Sequence, residues 1–294
     1  MKITSPRLHL EVEVSGSPQG IPLLMIMGLG MQLTAWDERL VARLVSQGFR
    51  VIRFDNRDSG LSQGFDHLGL ANVARAATRR AFRLPVSSPY SLVDMAADAV
   101  DVLDALGISS AHVCGISMGG MVAQWMALRH PSRVLSLSLL MTNSGARRLP
   151  GPTFAVRMAL MRKPPVQKGP AAVLDNSLRF LLLVESPAHR SDVAELRKRL
   201  ADFHARAYRP EGTARQLTAI AASPDRSAML RTLKLPCEIV HGRADPLVRV
   251  AAGVNLKSLI PGSRLDIVEG MGHDLPQPLF ERVTAAIGRA ASRV

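Results

Sequence analysis

His112-Val113-Cys114-Gly115-Ile116-Ser117-Met118-Gly119 joins a short apolar run to a helical stretch that continues to Arg129. A G-x-S-x-G string is weak evidence alone in a chain with 22 Gly, so its setting must discriminate. Here the setting is strand, tight turn, helix. Glycines on both sides remove the Cβ clashes of such a turn, which pushes the Ser117 Oγ outward with the helix N-terminus behind it. The bland alternative is an ordinary βα connection, and partners elsewhere in the chain decide between the two.

Outward from this turn the chain alternates strand and helix. Leu8, Leu10, Val12 and Val14 alternate with His9, Glu11 and Glu13 and predict a half-exposed antiparallel strand ending at Ser15-Gly16-Ser17-Pro18. Pro22 to Met27, Arg50 to Phe54, Ala111 to Cys114, Val134 to Met141, Cys237 to Val240 and Leu265 to Val268 are short apolar runs of the kind that form buried parallel strands. Helices are predicted over Trp36 to Gln47, Ser91 to Leu106, Met118 to Arg129, Val250 to Leu259 and onward from about Leu279. In the second of these Ser91 and Asp94 form a capping-box start, Gly107 supplies the stop, and Asp98, Asp101 and Asp104 fall on the outer face. Such alternation builds an α/β fold, a mostly parallel sheet flanked by helices.

Two segments break the rhythm: 65–90, a lid-like excursion without a strand, and 145–225, rich in helix formers and proline. The second reads as a helical cap inserted after the sixth strand, leaving 1–144 and 226–294 as the core. These segments also hold most of the charge. The chain has 37 Lys+Arg against 24 Asp+Glu, a net +13, of which the excursion contributes +3 and the cap +7. Since 31 of the 37 are Arg, part of the surplus can reflect codon bias rather than a partner. Aromatics are only 4% of residues and no zinc-finger spacing occurs, so a nucleic-acid partner is not expected. The start lacks an apolar signal region and no run is long enough to span a bilayer, so the expected setting is cytoplasmic. Cys114 and Cys237 lie in strand-like runs and read as reduced core thiols.

A serine hydroxyl becomes a nucleophile when a base takes its proton, so a histidine oriented by a carboxylate is required. Two late loops supply them. His241-Gly242-Arg243-Ala244-Asp245-Pro246 follows one strand and Glu269-Gly270-Met271-Gly272-His273-Asp274 the next, placing Asp245 and His273 on the same sheet edge as Ser117. Asp274 is a rival acid with an awkward geometry, and His241 reads as a buttress of the Asp245 loop. Two amides are needed for an oxyanion. Met118 N–H is one, and Leu29 N–H in Met27-Gly28-Leu29-Gly30-Met31 is the other. A dinucleotide fingerprint at Gly28-x-Gly30 fails because position 33 is Leu. Gly28, Met121 and Met271 are candidates for the substrate pocket, together with Met158, Met161 and Phe180 to Val184 of the cap.

With the order Ser117, Asp245, His273 and the string Phe54-Asp55-Asn56-Arg57-Asp58-Ser59-Gly60-Leu61-Ser62, the chain resembles the α/β-hydrolase superfamily, serine-nucleophile branch, over essentially its whole length. Asp58, where glycine is commoner, Met27-Gly28 in place of His-Gly, and Gly272-His273-Asp274-Leu275-Pro276 make it most similar to the aclacinomycin methylesterase-like esterases. The resemblance implies an α/β-hydrolase fold, no cofactor, and cleavage of a small-molecule carboxylic ester through an acyl-enzyme. A C–C bond or enol-lactone hydrolase and a thioesterase would share the triad. A non-catalytic binding protein on the same fold would normally lack a triad member or the donor loop.

Overall fold

The computed structural model of the chain describes residues 1–162 and 166–294. Eight strands form one sheet: β1 (Lys2–Thr4), β2 (His9–Ser15), β3 (Ile21–Ile26), β4 (Phe49–Phe54), β5 (Ala111–Ile116), β6 (Val134–Leu140), β7 (Cys237–Gly242) and β8 (Arg264–Val268). Their spatial order is β1-β2-β4-β3-β5-β6-β7-β8. β2 pairs antiparallel with β1 and β4, and all later pairings are parallel. The helices are α1 (Glu38–Ser46), α2 (Val73–Ala81), α3 (Leu92–Ala105), α4 (Met118–Arg129), α5 (Phe154–Met161), α6 (Pro170–Val184), α7 (Val193–Arg206), α8 (Pro210–Ala222), α9 (Ser227–Leu230), α10 (Ala251–Leu259) and α11 (Phe280–Ala291). None of the described helices is long and apolar enough to cross a membrane.

The sheet has a core on each face. Met95, Ala99, Val102 and Leu103 of α3 pack with Val122, Met126 and Leu256 on one side, while Leu40 and Leu44 of α1 pack with Phe280, Val283 and Ile287 of α11 on the other. Cys237 belongs to the first cluster and Cys114 to the second, and both are free thiols. Burial pushes the Cys114 thiol up to about 12, so it stays protonated and inert.

Register sets what lies at the carboxyl edge of the sheet. Ile26 of β3 pairs with Gly115 of β5, and Ile116 with Leu140 of β6, so the loop after β3 and the turn at Ser117 emerge side by side. Gly242 at the end of β7 pairs with Val268 at the end of β8, which brings out the loops carrying Asp245 and His273 together.

Helix α3 begins with the reciprocal Ser91/Asp94 capping box. Its face assignment needs one correction: Asp98 points inward. It accepts from Arg57 Nε at 2.6 Å and Nη2 at 2.7 Å and is buried, whereas Asp104 stays outside. A buried guanidinium supplied by the β4 loop makes an inward carboxylate tolerable, which helical spacing alone cannot reveal.

The chain between β6 and β7 carries α5 to α9, and its own apolar cluster is small, centred on Leu178, Leu196 and Leu200. Ala219 of α8 and Leu230 of α9 join the main core, and polar clamps add to this attachment. Asp58, at φ +65°, accepts from Arg215 Nε and Nη2 at 2.8 Å each, from Tyr90 Oη at 2.8 Å and from the Phe65 amide at 2.8 Å. Aspartate tolerates this left-handed position better than most side chains, and here its carboxylate anchors α8. Burial pushes the Asp58 carboxyl up, but the bonds from Arg215, the Phe65 amide and Tyr90 outweigh it and hold the pKa below the ordinary value. This contribution to stability is therefore present at neutral pH and is lost as the pH falls below about 4. Arg215→Met leaves the carboxylate buried without its cation, and is expected to cost about 3 kcal/mol or more in urea unfolding at pH 7. The Asp58→Asn/Arg215→Met double variant should lose less than the sum of the singles.

Candidate active site

Ser117 caps α4 with φ 55° and ψ −117°, a conformation that costs a non-glycine residue about 1–3 kcal/mol. Its surroundings hold it there. The Ser117 N–H donates to Leu140 O at 2.9 Å and its carbonyl accepts from Thr142 Oγ1 at 2.6 Å. The flanking glycines are required by space: a Cβ on Gly115 would lie 2.3 Å from Gly119 O, and one on Gly119 would lie 2.0 Å from Ile26 O. The turn is thus pressed against the end of β3.

His273 Nε2 lies 3.0 Å from Ser117 Oγ, and its Nδ1 lies 2.7 Å from Asp245 Oδ2. The other Asp245 oxygen accepts the amides of Leu247 and Val248, both at 2.8 Å, so the fully buried carboxylate is fixed in orientation. With the proton on Nδ1, the imidazole presents a lone pair to the serine hydroxyl. His273 N–H donates to Val184 O at 2.7 Å and Gly272 N–H to Ser186 Oγ at 2.9 Å, which ties the loop to the end of α6. His241 buttresses the acid loop as expected: its Nε2 lies 2.8 Å from Val248 O and 3.8 Å from Asp245 Oδ2. Burial holds its pKa below the ordinary value, consistent with a neutral ring. Asp274 is engaged by Ser186 Oγ instead of by His273.

The Met31 amide donates to Gly28 O at 3.2 Å across a tight turn with Gly30 at φ +66°. Among the described residues neither the Leu29 nor the Met118 amide has a protein acceptor. Gly28 is needed for approach, since a Cβ there would lie 3.4 Å from Ser117 Cβ and 3.9 Å from its Oγ. The turn is gripped from α7 and α8. Gln216 Oε1 accepts the Gly30 amide at 2.8 Å while its Nε2 donates to Arg57 O at 2.7 Å and Ser59 Oγ at 2.9 Å. Gln32 donates to the carbonyls of Phe203 and Ala207 at 2.8 Å and accepts from Arg206 at 2.6 Å. Asp55 accepts the Leu33 amide at 2.6 Å and Arg206 Nη1 at 2.8 Å. The sequence gives no sign of Gln216, Gln32 or Arg206 here, because a glutamine or arginine on a helix or in a loop reads as solvated. Gln216→Leu removes the acceptor that holds the turn, and is expected to lower kcat on the order of 10- to 100-fold with little change in KM, measured on a soluble aryl ester.

Ser117 and His273 open into one cleft of ≈ 2540 Å³, well beyond the ~300–1,000 Å³ of a drug-sized ligand site. Gly28 and Met121 line it, as do Met158, Met161, Phe180 and Leu183. Met271 does not: it is fully buried in the core beneath the His273 loop, its carbonyl accepting the Ala244 amide. The Met118 side chain is buried and does not line the cleft. Among the described residues no group of three His, Cys, Asp or Glu could hold a metal ion.

The family model described as alpha/beta hydrolase fold matches residues 21–276. The chain belongs to the α/β-hydrolase family. This hydrolase is 29% identical to rhodomycin D methylesterase DnrP of Streptomyces peucetius, with 97% of this chain and 95% of that protein covered. It is 25% identical to 3-oxoadipate enol-lactonase 1 of Acinetobacter baylyi, with 88% and 85% covered. Among solved structures a thermophilic esterase from Thermogutta terrifontis superposes with a TM-score of 0.71 at 22% identity, covering 100% of this chain and 98% of that one. That likeness concerns the fold.

Proposed function

We propose that this hydrolase cleaves carboxylic esters with Ser117 as nucleophile, His273 as general base and acid, and Asp245 as the group that orients and charges-balances the imidazole. The observation that carries the reading is the continuous chain Asp245–His273–Ser117, at 2.7 and 3.0 Å, opening into one cleft beside two amides that have no acceptor among the described residues. His273 Nε2 takes the Ser117 proton as Oγ attacks the carbonyl. The oxyanion is received by the Leu29 and Met118 amides, each worth about 3–4 kcal/mol in the transition state. His273 then returns the proton to the leaving alcohol, and a water activated by the same nitrogen releases the acid.

The large cleft, bordered by methionines and by Phe180, suits a bulky lipophilic acyl part and a small alcohol. The methylesterase relative supports the same reading. Residues 1–144 and 226–294 act in it as the core and 145–225 as the cap that completes the cleft, 163–165 lying outside the described residues. The enol-lactonase relative favours a lactone as the second reading. A panel of p-nitrophenyl, methyl, lactone and acyl-CoA substrates tests the assignment. Methyl or aryl ester turnover well above lactone and thioester turnover supports the first reading; exclusive lactone or thioester turnover would replace it.

A further inference from the structure

Two stretches at the mouth of the cleft contain no acid. Residues 67–93 carry Arg75, Arg79, Arg80 and Arg83, and residues 145–162 carry Arg147, Arg148, Arg157 and Arg162, with no Asp or Glu in either. Among the described residues none of these eight arginines has a carboxylate partner; Arg43, Arg129, Arg231, Arg249 and Arg264 elsewhere on the surface also have none, but they are scattered rather than gathered in stretches without acids. Seven of the eight are exposed, Arg79 being half-buried.

Large apolar side chains stand out from the same stretches. Leu70 is 84% exposed, Phe82 73% and Phe154 78%, and Leu84, Met158 and Met161 are exposed as well. All but Phe82 border the cleft. In Arg79-Arg80-Ala81-Phe82-Arg83-Leu84 cationic and apolar side chains are interleaved at the end of α2, and in α5 Arg157 lies between Phe154 and Met158. Arg80 Nη1 bonds the carbonyls of Ala221 at 2.9 Å and Ser223 at 3.3 Å, so α2 is fixed to the end of α8 beside the cleft.

We propose that this rim docks on an anionic lipid surface, so that a lipophilic ester passes from the bilayer into the cleft. Protruding apolar groups dispersed among guanidiniums match the boundary between acyl chains and headgroups, where one layer supplies apolar depth and the next supplies anions. An acidic protein would satisfy the arginines but would need a shaped apolar counterpart for groups spread around an opening. On these two stretches the charge is of one sign and without ion-pair partners among the described residues, which makes them complementary to phosphate, while Asp192, Glu195, Glu211 and Asp225 carry the opposite sign elsewhere on the cleft border.

The test reads binding and not turnover, so it stands apart from the ester reading. Ser117→Ala protein is sedimented with vesicles of phosphatidylcholine alone or with about one-third phosphatidylglycerol. Binding is expected to the anionic vesicles only, and to weaken strongly between about 0.1 M and about 0.5 M salt. Arg75→Glu/Arg148→Glu/Arg157→Glu should weaken it about tenfold or more, with an unchanged unfolding temperature as the control for folding. Phe82→Ser should weaken it severalfold while leaving the salt dependence in place. Failure to bind the anionic vesicles, equal binding to both vesicle types, or binding indifferent to these substitutions would overturn the proposal. So would soluble polyglutamate binding as tightly as vesicles and independently of Phe82.

Discussion

Ser117→Ala is expected to lower kcat/KM toward a soluble aryl ester by at least about 10⁴-fold, with an unfolding temperature close to that of the parent. The loss is large because nothing else in the cleft replaces the oxygen: Ser117 Oγ is the atom that His273 Nε2 addresses at 3.0 Å. The fold should survive because the serine side chain supports no packing. The elbow is held by backbone bonds, from the Ser117 amide to Leu140 and from Thr142 to the Ser117 carbonyl, and by the Gly115 and Gly119 contacts. Alanine keeps all of these and inherits the same left-handed backbone. Single-turnover and steady-state assays on the purified variant check the rate, and thermal unfolding checks the fold. Retention of more than about one-tenth of the activity would remove Ser117 from the mechanism.

Asp245→Asn should cost on the order of 10⁴-fold in kcat near neutral pH through the tautomer of His273. The geometry settles which way the new amide points. The Asp245 oxygen facing Leu247 and Val248 accepts two backbone N–H groups, so the Asn carbonyl must occupy that place. Its NH₂ is then left facing His273 Nδ1, where the carboxylate accepts at 2.7 Å. A donor there forces the ring proton onto Nε2, which can no longer take the Ser117 proton. Asp245→Ala should be less deleterious per unit of lost contact, because a water can accept from Nδ1 and preserve the useful tautomer. The comparison of the two variants, read as kcat against pH, separates the tautomer effect from simple loss of charge. An Asn variant as active as the parent would show that the carboxylate is not needed there.

How far the sequence reached depends on the range over which each feature is specified. The elbow is a local event, since Gly115, Ser117 and Gly119 act through contacts within a few residues and with the adjacent β3. Asp245 and His273 were legible because the alternation of strands fixes the edge at which each loop emerges. β1 leaves no periodic signal, being three residues paired only with β2. Asp98 and Met271 show a different limit. Each sits where periodicity or proximity to a motif points outward or toward the site, and each turns inward because of a partner far away in sequence, Arg57 for one and the core under β8 for the other. The clamps from α7 and α8 lie beyond sequence reading for the same reason. Gln216 reaches Gly30 and Arg215 reaches Asp58 across more than 150 residues, through side chains that on a helix look merely solvated. Asp58 itself, a departure from the commoner glycine, is explained by Arg215 opposite it.

The most direct test of the nucleophile is covalent. Treatment of the native protein with a fluorophosphonate, followed by intact-mass measurement and peptide mapping, should show one phosphonyl group per chain on the peptide that contains Ser117, and none on Ser117→Ala protein. An unlabelled native protein, or a label carried by Ser186 or another serine, would contradict the assignment of Ser117 and with it the proposed mechanism.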